Sequence, residues 1–445
     1  MADIDLGKAF ARIEAATPRR ESGRVTEVTG LVIRASVPGV RIGEVVTIAS
    51  PDSGRPGRPA PLPLRAEVVG FRGDEIVLMP LGEAAGIGPD SLVTPTSRPF
   101  SIGVSDRLLG RVLDGLGQPI DGGGPIAEAR EWTVDRPAPE PLSRPRVSRP
   151  LPLGVRVLDG LLTVGEGQRV GIFAGSGVGK STLMGQIARQ TEADVNVIAL
   201  VGERGREVVD FLEESLGPAG RARSVVVCAT SDAPSLVRLK AAFVATAIAE
   251  YFRDQGRRVL FMLDSITRVA RAQREVGLAA GEPPARQGYP PSVFALLPRL
   301  LERTGTNAHG SITALYTVLV AGGDMEEPIA DEVRGILDGH VVLSRDIAAR
   351  NQWPAVDVLP SLSRLMNTVA EPAHRGAAQR LRELMAAYER QRDLILLGAY
   401  QRGADPLTDR AIAALDAITA FLRQRTDESA PFADTVARLR ALVAD

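Results

Sequence analysis

Along residues 24–95, apolar and polar positions alternate in short runs: RVTEVTGLVIRA, RIGEVVTIA, LRAEVVGF and EIVLMPL. The runs are rich in Val and Ile and are separated by Gly, Pro and Asp clusters, a spacing that predicts a small β-barrel or sandwich. SPDSGRPGRPAPLPL falls between them as a loop, because its prolines lack the amide protons a ladder needs. From residue 153 the pattern changes. QRVGIFA, VNVIALVG, RSVVVCAT, RRVLFMLD, SITALYTVLV and GHVVLSR are nearly continuous apolar runs, alternating with stretches of helical period. Runs of that kind suit strands buried on both faces, so an α/β domain with a parallel sheet between helices is expected.

Residues 371–445 read as helices. Leu381, Leu384, Met385 and Tyr388 fall on one face, as do Ile412, Leu415, Ile418 and Leu422, and Asp405-Pro406 is a helix start. VDRPAPEPLSRPRVSRPLP, 134–152, fits neither a regular helix nor a central strand and is expected to be an extended strap. At the start of the chain, Ile4, Leu6, Phe10 and Ile13 lie near helical spacing. That segment is either a frayed end or a docking helix for another protein. The resulting division is a docking helix at 1–20, a barrel at 21–95, an α/β domain with its strap at 96–370, and a helical domain at 371–445.

Composition narrows the function classes. At 445 residues about three domains are expected, and 53 Lys plus Arg against 54 Asp plus Glu leave a net charge of −1. So balanced a chain has no overall attraction for nucleic acid or anionic lipid. One cysteine, Cys228, excludes an intrachain disulfide and a thiolate zinc cluster. His309, His340 and His374 show no metal-ligand spacing. No apolar run reaches the roughly 18–20 residues of a spanning helix, and the start lacks a signal-peptide core, so a cytoplasmic location is expected.

The strongest local chemistry is AGSGVGKST, Ala174 to Thr182, directly after the strand QRVGIFA. Glycines at 175, 177 and 179 let backbone amides turn inward around phosphate oxygens. Ala174, Ser176, Val178 and Thr182 complete this loop. Lys180 reaches the β- and γ-phosphates, Ser181 ligands Mg²⁺, and the helix that follows points its amide-rich end at the same anion. The strict pattern opens with Gly where this chain has Ala174. Asp264, ending the strand RRVLFMLD, is the second Mg²⁺ group, acting through water, with capping of the next helix as the alternative. Hydrolysis needs a carboxylate to orient water; Glu203 in LVGERGREV is that candidate. Glu207 competes with it, but is expected within the next helix and aimed elsewhere. Arg204 touches the γ-phosphate or forms a surface ion pair.

AGSGVGKST, VGERGREVVDFLEE, GRARSVVVCATSD, TAIAEYFRDQGRRVLFMLDSITR, AQREVGLAAGEPPARQGYPPSVFALLPRLLERTGT, DGHVVLSR and PAVDVLPSLSR together resemble the type III protein-export ATPases. That family serves the flagellum and the injectisome and is similar to the catalytic subunit of rotary ATP synthase. The resemblance runs from about residue 22 and is weakest in the first and last 20 residues. It implies a RecA-like P-loop ATPase core with an N-terminal small β-barrel and a C-terminal helical domain, using ATP and Mg²⁺. It also implies a homo-hexamer with ATP at the interfaces, each site completed by the neighbour's Arg364, the arginine of PSLSRLM. Trp353 occupies the position where the family commonly stacks Tyr on adenine; a core or interface tryptophan is the alternative. Gly288 to Pro291, in GYPPSVFALLPRLLERTG, is where a coupling contact with a coiled-coil stalk in the central hole is expected. The other implied partners are a stator-like regulatory protein at the N-terminus, chaperone–substrate complexes and a membrane export gate, with the chain at the inner face of the cytoplasmic membrane.

Three other readings are weaker. A rotary synthase subunit fits DFLEESLGPAGRARSVVV less well. An RNA-translocating ring needs stacking aromatics and a basic groove, yet residues 21–95 hold one aromatic, Phe71, with seven arginines and nine acidic residues. A non-catalytic subunit would have lost Lys180, Glu203 or Asp264. Within the export family, EIVLMPLGEAAGIG and LERTGTNAHGSITALYTVLVAGGDMEEPIADEVRGILDGH favour the flagellar branch over the injectisome.

Overall fold

The computed structural model describes residues 22–50 and 63–444. The expected docking helix at 1–20 and most of the Pro-rich barrel loop lie outside the described residues. The chain divides into two compact units, one running to Phe100 and including Leu278–Glu282, the other holding the rest.

The first unit is a closed barrel of β1 (Gly23–Thr29), β2 (Val32–Ser36), β3 (Glu44–Ala49), β4 (Leu64–Arg72), β5 (Glu75–Pro80) and β6 (Leu92–Pro99), in the order β1-β2-β5-β4-β3-β6. RVTEVTGLVIRA, one run in the sequence, is a hairpin that turns at Gly30. Val25, Ile33, Val46, Ile48, Val68, Ile76, Leu78 and Val93 fill the interior. The alternation of apolar positions is what puts those side chains on one face. The strand pattern did not reveal β6, whose Pro95 and Pro99 and mostly exposed side chains hide the alternation; it closes the barrel by pairing with β3 and β1.

In the second unit, β7 (Ser101–Val104) pairs with β9 (Arg130–Thr133). The main sheet is built from β8 (Val112–Asp114), β10 (Arg169–Ala174), β11 (Val195–Val201), β12 (Ser224–Ala229), β13 (Arg258–Asp264), β14 (Gly305–Thr306), β15 (Ser311–Leu319), β16 (Gly339–Leu343) and β17 (Val356–Ser363). Its order is β17-β16-β10-β15-β13-β11-β12-β8, with β14 pairing β15 off this path. Pairing is parallel except at β17 and β14. Continuous burial along β11 and β12 is the reason their sequence is apolar without alternation. The strap at 134–152 forms no strand; its only helical turn is the short Pro141–Ser143.

The C-terminal helices Pro372–Leu396, Pro406–Leu422 and Phe432–Leu442 share one continuous core with the α/β sheet. Leu381, Leu384, Ile418, Phe421 and Leu439 pack in the same cluster as Leu158, Leu161 and Met184. Asp405 caps its helix as expected, accepting from the Leu407 amide at 3.1 Å. Ile412 and Leu415 are half-buried, and Ala411 and Phe421 take the inner positions.

Candidate nucleotide-binding active site

Parallel sheets open their ligand crevice at the carboxyl ends of the strands. Register aligns those ends: Ala174 of β10 lies beside Leu319 of β15, and Asp264 of β13 beside Leu200 of β11. The loop from Gly175 to Gly179 then curls over this edge, with Gly177 and Gly179 at φ +77° and +78°. A side chain at Gly179 is excluded twice, since a Cβ there would also lie 2.7 Å from the Trp353 ring. The helix Lys180–Gln190 starts on it.

Gly175, Ser176, Gly177, Gly179, Lys180, Ser181 and Thr182 line a cavity of about 1480 Å³. Ala174 and Val178 do not line it; both are buried in the apolar core, so whatever they offer a phosphate is backbone alone. Ala in place of Gly at 174 is thus accommodated by the core side of the loop.

The Lys180 ammonium bonds the Asp264 carboxylate and stands 3.7 Å from Oε1 of Glu203. Asp264 is 2 % exposed and also accepts from the Thr317 hydroxyl at 2.8 Å. It sits beneath the lysine rather than on the cavity wall, which suits a cation contact through water. Glu203 is held in place by its own backbone: the Ser231 amide donates to its carbonyl at 3.0 Å, and Gly202 donates to Ala229 at the exit of β12. Its Oε2 accepts from Arg268 at 3.1 Å, and Arg268 also bonds the Gly202 carbonyl. Glu203 Oε1 has no hydrogen-bond partner. A buried acceptor left free beside a lysine is the arrangement expected of a group waiting to receive a hydrogen bond from water.

Burial pushes the Glu203 carboxyl up to about 7, helped by the neighbouring Glu207 carboxylate and the nearby charge of Asp264. Glu207 is held below its usual range by its interaction with Glu203 and by the Arg204 amide. This corrects the expectation for Glu207. It does lie in the next helix, Gly205–Asp210, but its carboxylate turns back, accepting from the Arg204 amide at 3.4 Å, and it lines the cavity. The Arg204 side chain is 81 % exposed at the cavity mouth, with Glu207 3.7 Å away.

Trp353 borders the cavity at the foot of β17, its indole N–H donating to Asn351 Oδ1 at 3.0 Å. Its carbonyl accepts from the Gln424 amide at 2.9 Å. Arg364 is elsewhere. Because β17 runs antiparallel to β16, its far end pairs Ser363 with Gly339, at the edge of the sheet where β10 begins. Arg364 is exposed there, a strand length from the phosphate loop of its own chain, and does not line the cavity.

Three family models match: the ATP synthase alpha/beta family nucleotide-binding domain at residues 154–363, its β-barrel domain at 25–97, and the T3SS EscN ATPase C-terminal domain at 370–441. The flagellum-specific ATP synthase of Bacillus subtilis is 53 % identical, covering 97 % of each chain. The type 3 secretion system ATPase of Xanthomonas euvesicatoria is 54 % identical, covering 96 % of this chain and 95 % of that one. The chain belongs to the type III export ATPases. Its fold matches the assembled ATPase EscN from the enteropathogenic E. coli type III secretion system, with a TM-score of 0.87 at 44 % identity over 95 % of this chain and all of that one. EscN has also been solved in complex with its central stalk EscO, a structure that this chain matches with a TM-score of 0.86 at 45 % identity.

The cavity of this export ATPase is also lined by residues that the motifs did not reveal. Arg268, the partner of Glu203, comes four residues after Asp264, and that spacing was the available signal. The other wall of the cavity, including Arg423, Gln424, Arg425 and Glu428, comes from the C-terminal helical region. Arg156 binds this wall to the α/β domain, donating to the Phe421 carbonyl at 3.1 Å and pairing with Glu428. No local signal marks that contact in the sequence. Among the described residues no group of three His, Cys, Asp or Glu could hold a metal ion. One hydroxyl, Ser181, and one carboxylate, Asp264, fit a cation that arrives already bound to phosphate oxygens. No described helix is long and apolar enough to cross a membrane.

Proposed function

We propose that this ATPase hydrolyses Mg²⁺-bound ATP as a homo-hexamer and thereby energises export of flagellar components, releasing or unfolding substrates at a membrane gate. The observation that carries the reading is the convergence of Lys180, Asp264, Glu203 and Arg268 under a phosphate loop. Lys180 exchanges part of its pairing with Asp264 for the β- and γ-phosphates. Ser181 and Asp264 would hold the cation, which would neutralise phosphate charge. Glu203 accepts a proton-bearing hydrogen bond from the attacking water, and Arg268 keeps its carboxylate aimed. Arg204 lies at the mouth, within reach of a γ-phosphate. Trp353 stacks on the base.

Arg364 faces away from its own cavity, which supports a role in the neighbour's site. A guanidinium supplied there stabilises transition-state charge, worth about 10³ to 10⁵ in rate in related phosphoryl transfers. The assembled EscN and its stalk complex support a ring with a central stalk, for which Gly288 to Pro291 is the coupling segment. A stator-like protein at residues 1–20, chaperone–substrate complexes and peripheral attachment to the cytoplasmic membrane complete the proposal. The 54 % identical Xanthomonas relative supports an injectisome as the second reading.

Steady-state ATPase activity measured against protein concentration, with mass photometry alongside, tests the shared site. Specific activity should rise steeply as hexamers form; constant activity in a persistent monomer would exclude it. Restoration of motility, but not of effector secretion, in the matching deletion strains would select the flagellar branch.

A further inference from the structure

We propose that Gln168 is a positioning residue for Arg364, the arginine offered to the neighbouring site. The inference rests on Arg364 acting in the neighbouring site. Gln168 immediately precedes β10 and is fully buried. Every hydrogen-bonding group of its amide is engaged. Oε1 accepts from the Gly165 amide at 2.8 Å, while Nε2 donates to the Asp338 carbonyl at 3.0 Å and to Ser363 Oγ at 3.2 Å. The Asp338 carbonyl that it holds also accepts the Arg364 amide at 3.0 Å. Ser363 Oγ in turn donates to the Thr163 carbonyl at 2.7 Å.

Gln168 therefore grips both the residue before Arg364 and the carbonyl to which Arg364 is bonded. Arg169, next in the chain, holds the same aspartate by its carboxylate, with its amide 3.0 Å and its Nε 3.2 Å from Oδ2. A leucine would fill the same volume without the desolvation cost of an amide, so a fully satisfied buried amide marks a point where geometry is being specified. From this node β10 runs to Ala174 and the phosphate loop, paired on one side with β15 and on the other with β16. A buried central strand is stiff.

The test is Gln168→Leu in the full-length ATPase, alone and in rings mixed with Lys180→Ala subunits. Alone, it should lower kcat by about 10²-fold, the scale of a misplaced catalytic group, with KM for ATP near wild type. Mixed with Lys180→Ala, whose own sites are dead but whose Arg364 is correctly seated, turnover per Gln168→Leu subunit should rise above the unmixed value. Arg364→Ala mixed with Lys180→Ala is run beside it. Rescue of Arg364→Ala but not of Gln168→Leu would overturn the positioning role and leave the arginine assignment standing. Failure of both mixtures would remove the arginine assignment and this inference with it. A raised KM with unchanged kcat would place the effect in the subunit's own loop and also overturn it. Should Gln168→Leu fail to fold, Ser363→Ala must show the same rescue, and Ser363→Thr, which keeps the hydroxyl, must restore kcat; otherwise the role is refuted.

Discussion

Lys180 and Asp264, 84 residues apart in sequence, form a direct ion pair at the carboxyl edge of the sheet. Lys180 lines the cavity and Asp264 is nearly inaccessible, so each residue is the other's counter-ion in this structure.

Lys180→Ala should abolish hydrolysis and also lower thermal stability, because Asp264 loses its counter-ion and is left a buried carboxylate that accepts from Thr317. Removing one partner of a buried pair costs about 3–5 kcal/mol, and the partial exposure of the lysine puts this pair at or below the low end. The double variant Lys180→Ala/Asp264→Asn should recover part of the lost melting temperature while remaining inactive. Wild-type turnover in either single variant would exclude the site, and an additive loss of stability would exclude the coupling.

Glu203→Gln should bind ATP yet lose about 10² to 10⁴ in kcat, the usual size of an acid–base contribution. Since its carboxyl is pushed up to about 7, the working carboxylate predominates only above that pH. Turnover should therefore rise with pH up to about 7 and then level off, and this limb should be missing from the residual activity of Glu203→Gln. The linkage to stability has the opposite sense. Folding raises this pKa, so the folded chain holds the proton more tightly than the unfolded one, and stability falls as pH rises through about 7. Glu203→Gln should melt higher than wild type at pH 8 and show a smaller advantage at pH 5, read by thermal scans at both.

Trp353→Ala should weaken ATP binding, since stacking of a base on an aromatic ring is worth about 1–3 kcal/mol, roughly 5- to 150-fold in affinity. Trp353→Tyr should keep most of it. The chain has two tryptophans, and Trp132 lies on β9, so a nucleotide-dependent change in fluorescence should vanish in Trp353→Tyr. Calorimetry and fluorescence titration check both. An unchanged affinity in Trp353→Ala would make this a packing tryptophan.

Arg156→Lys keeps the charge but loses the planar fork that reaches the Phe421 carbonyl, the Arg423 carbonyl and Glu428 together. Its melting temperature should fall by several degrees and KM for ATP should rise, because the cavity wall from Arg423 to Glu428 is seated by this side chain. A rise in KM matched by Glu428→Gln would locate the effect in the ion pair; an unchanged KM in Arg156→Lys would show that this wall does not touch nucleotide.

Local chemistry was enough to read the phosphate loop, the strands that carry it and the carboxylates at their ends. Glycine spacing, apolar runs and strand-end Asp264 and Glu203 are short-range signals, because the elements they specify form from neighbours in the chain. The barrel was legible for the same reason up to β6, where prolines erase the period-two pattern and closure depends on partners far away in sequence. Tertiary folding decided three long-range relationships. Sheet order brings Asp264 to Lys180. The antiparallel turn of β17 sets Trp353 at the chain's own loop and Arg364 at the opposite edge. Long-range packing around Arg156 makes the C-terminal helices a wall of the cavity. Sequence by itself determined which groups were available and the elements on which they ride; strand order, register and long-range burial determined which of them meet.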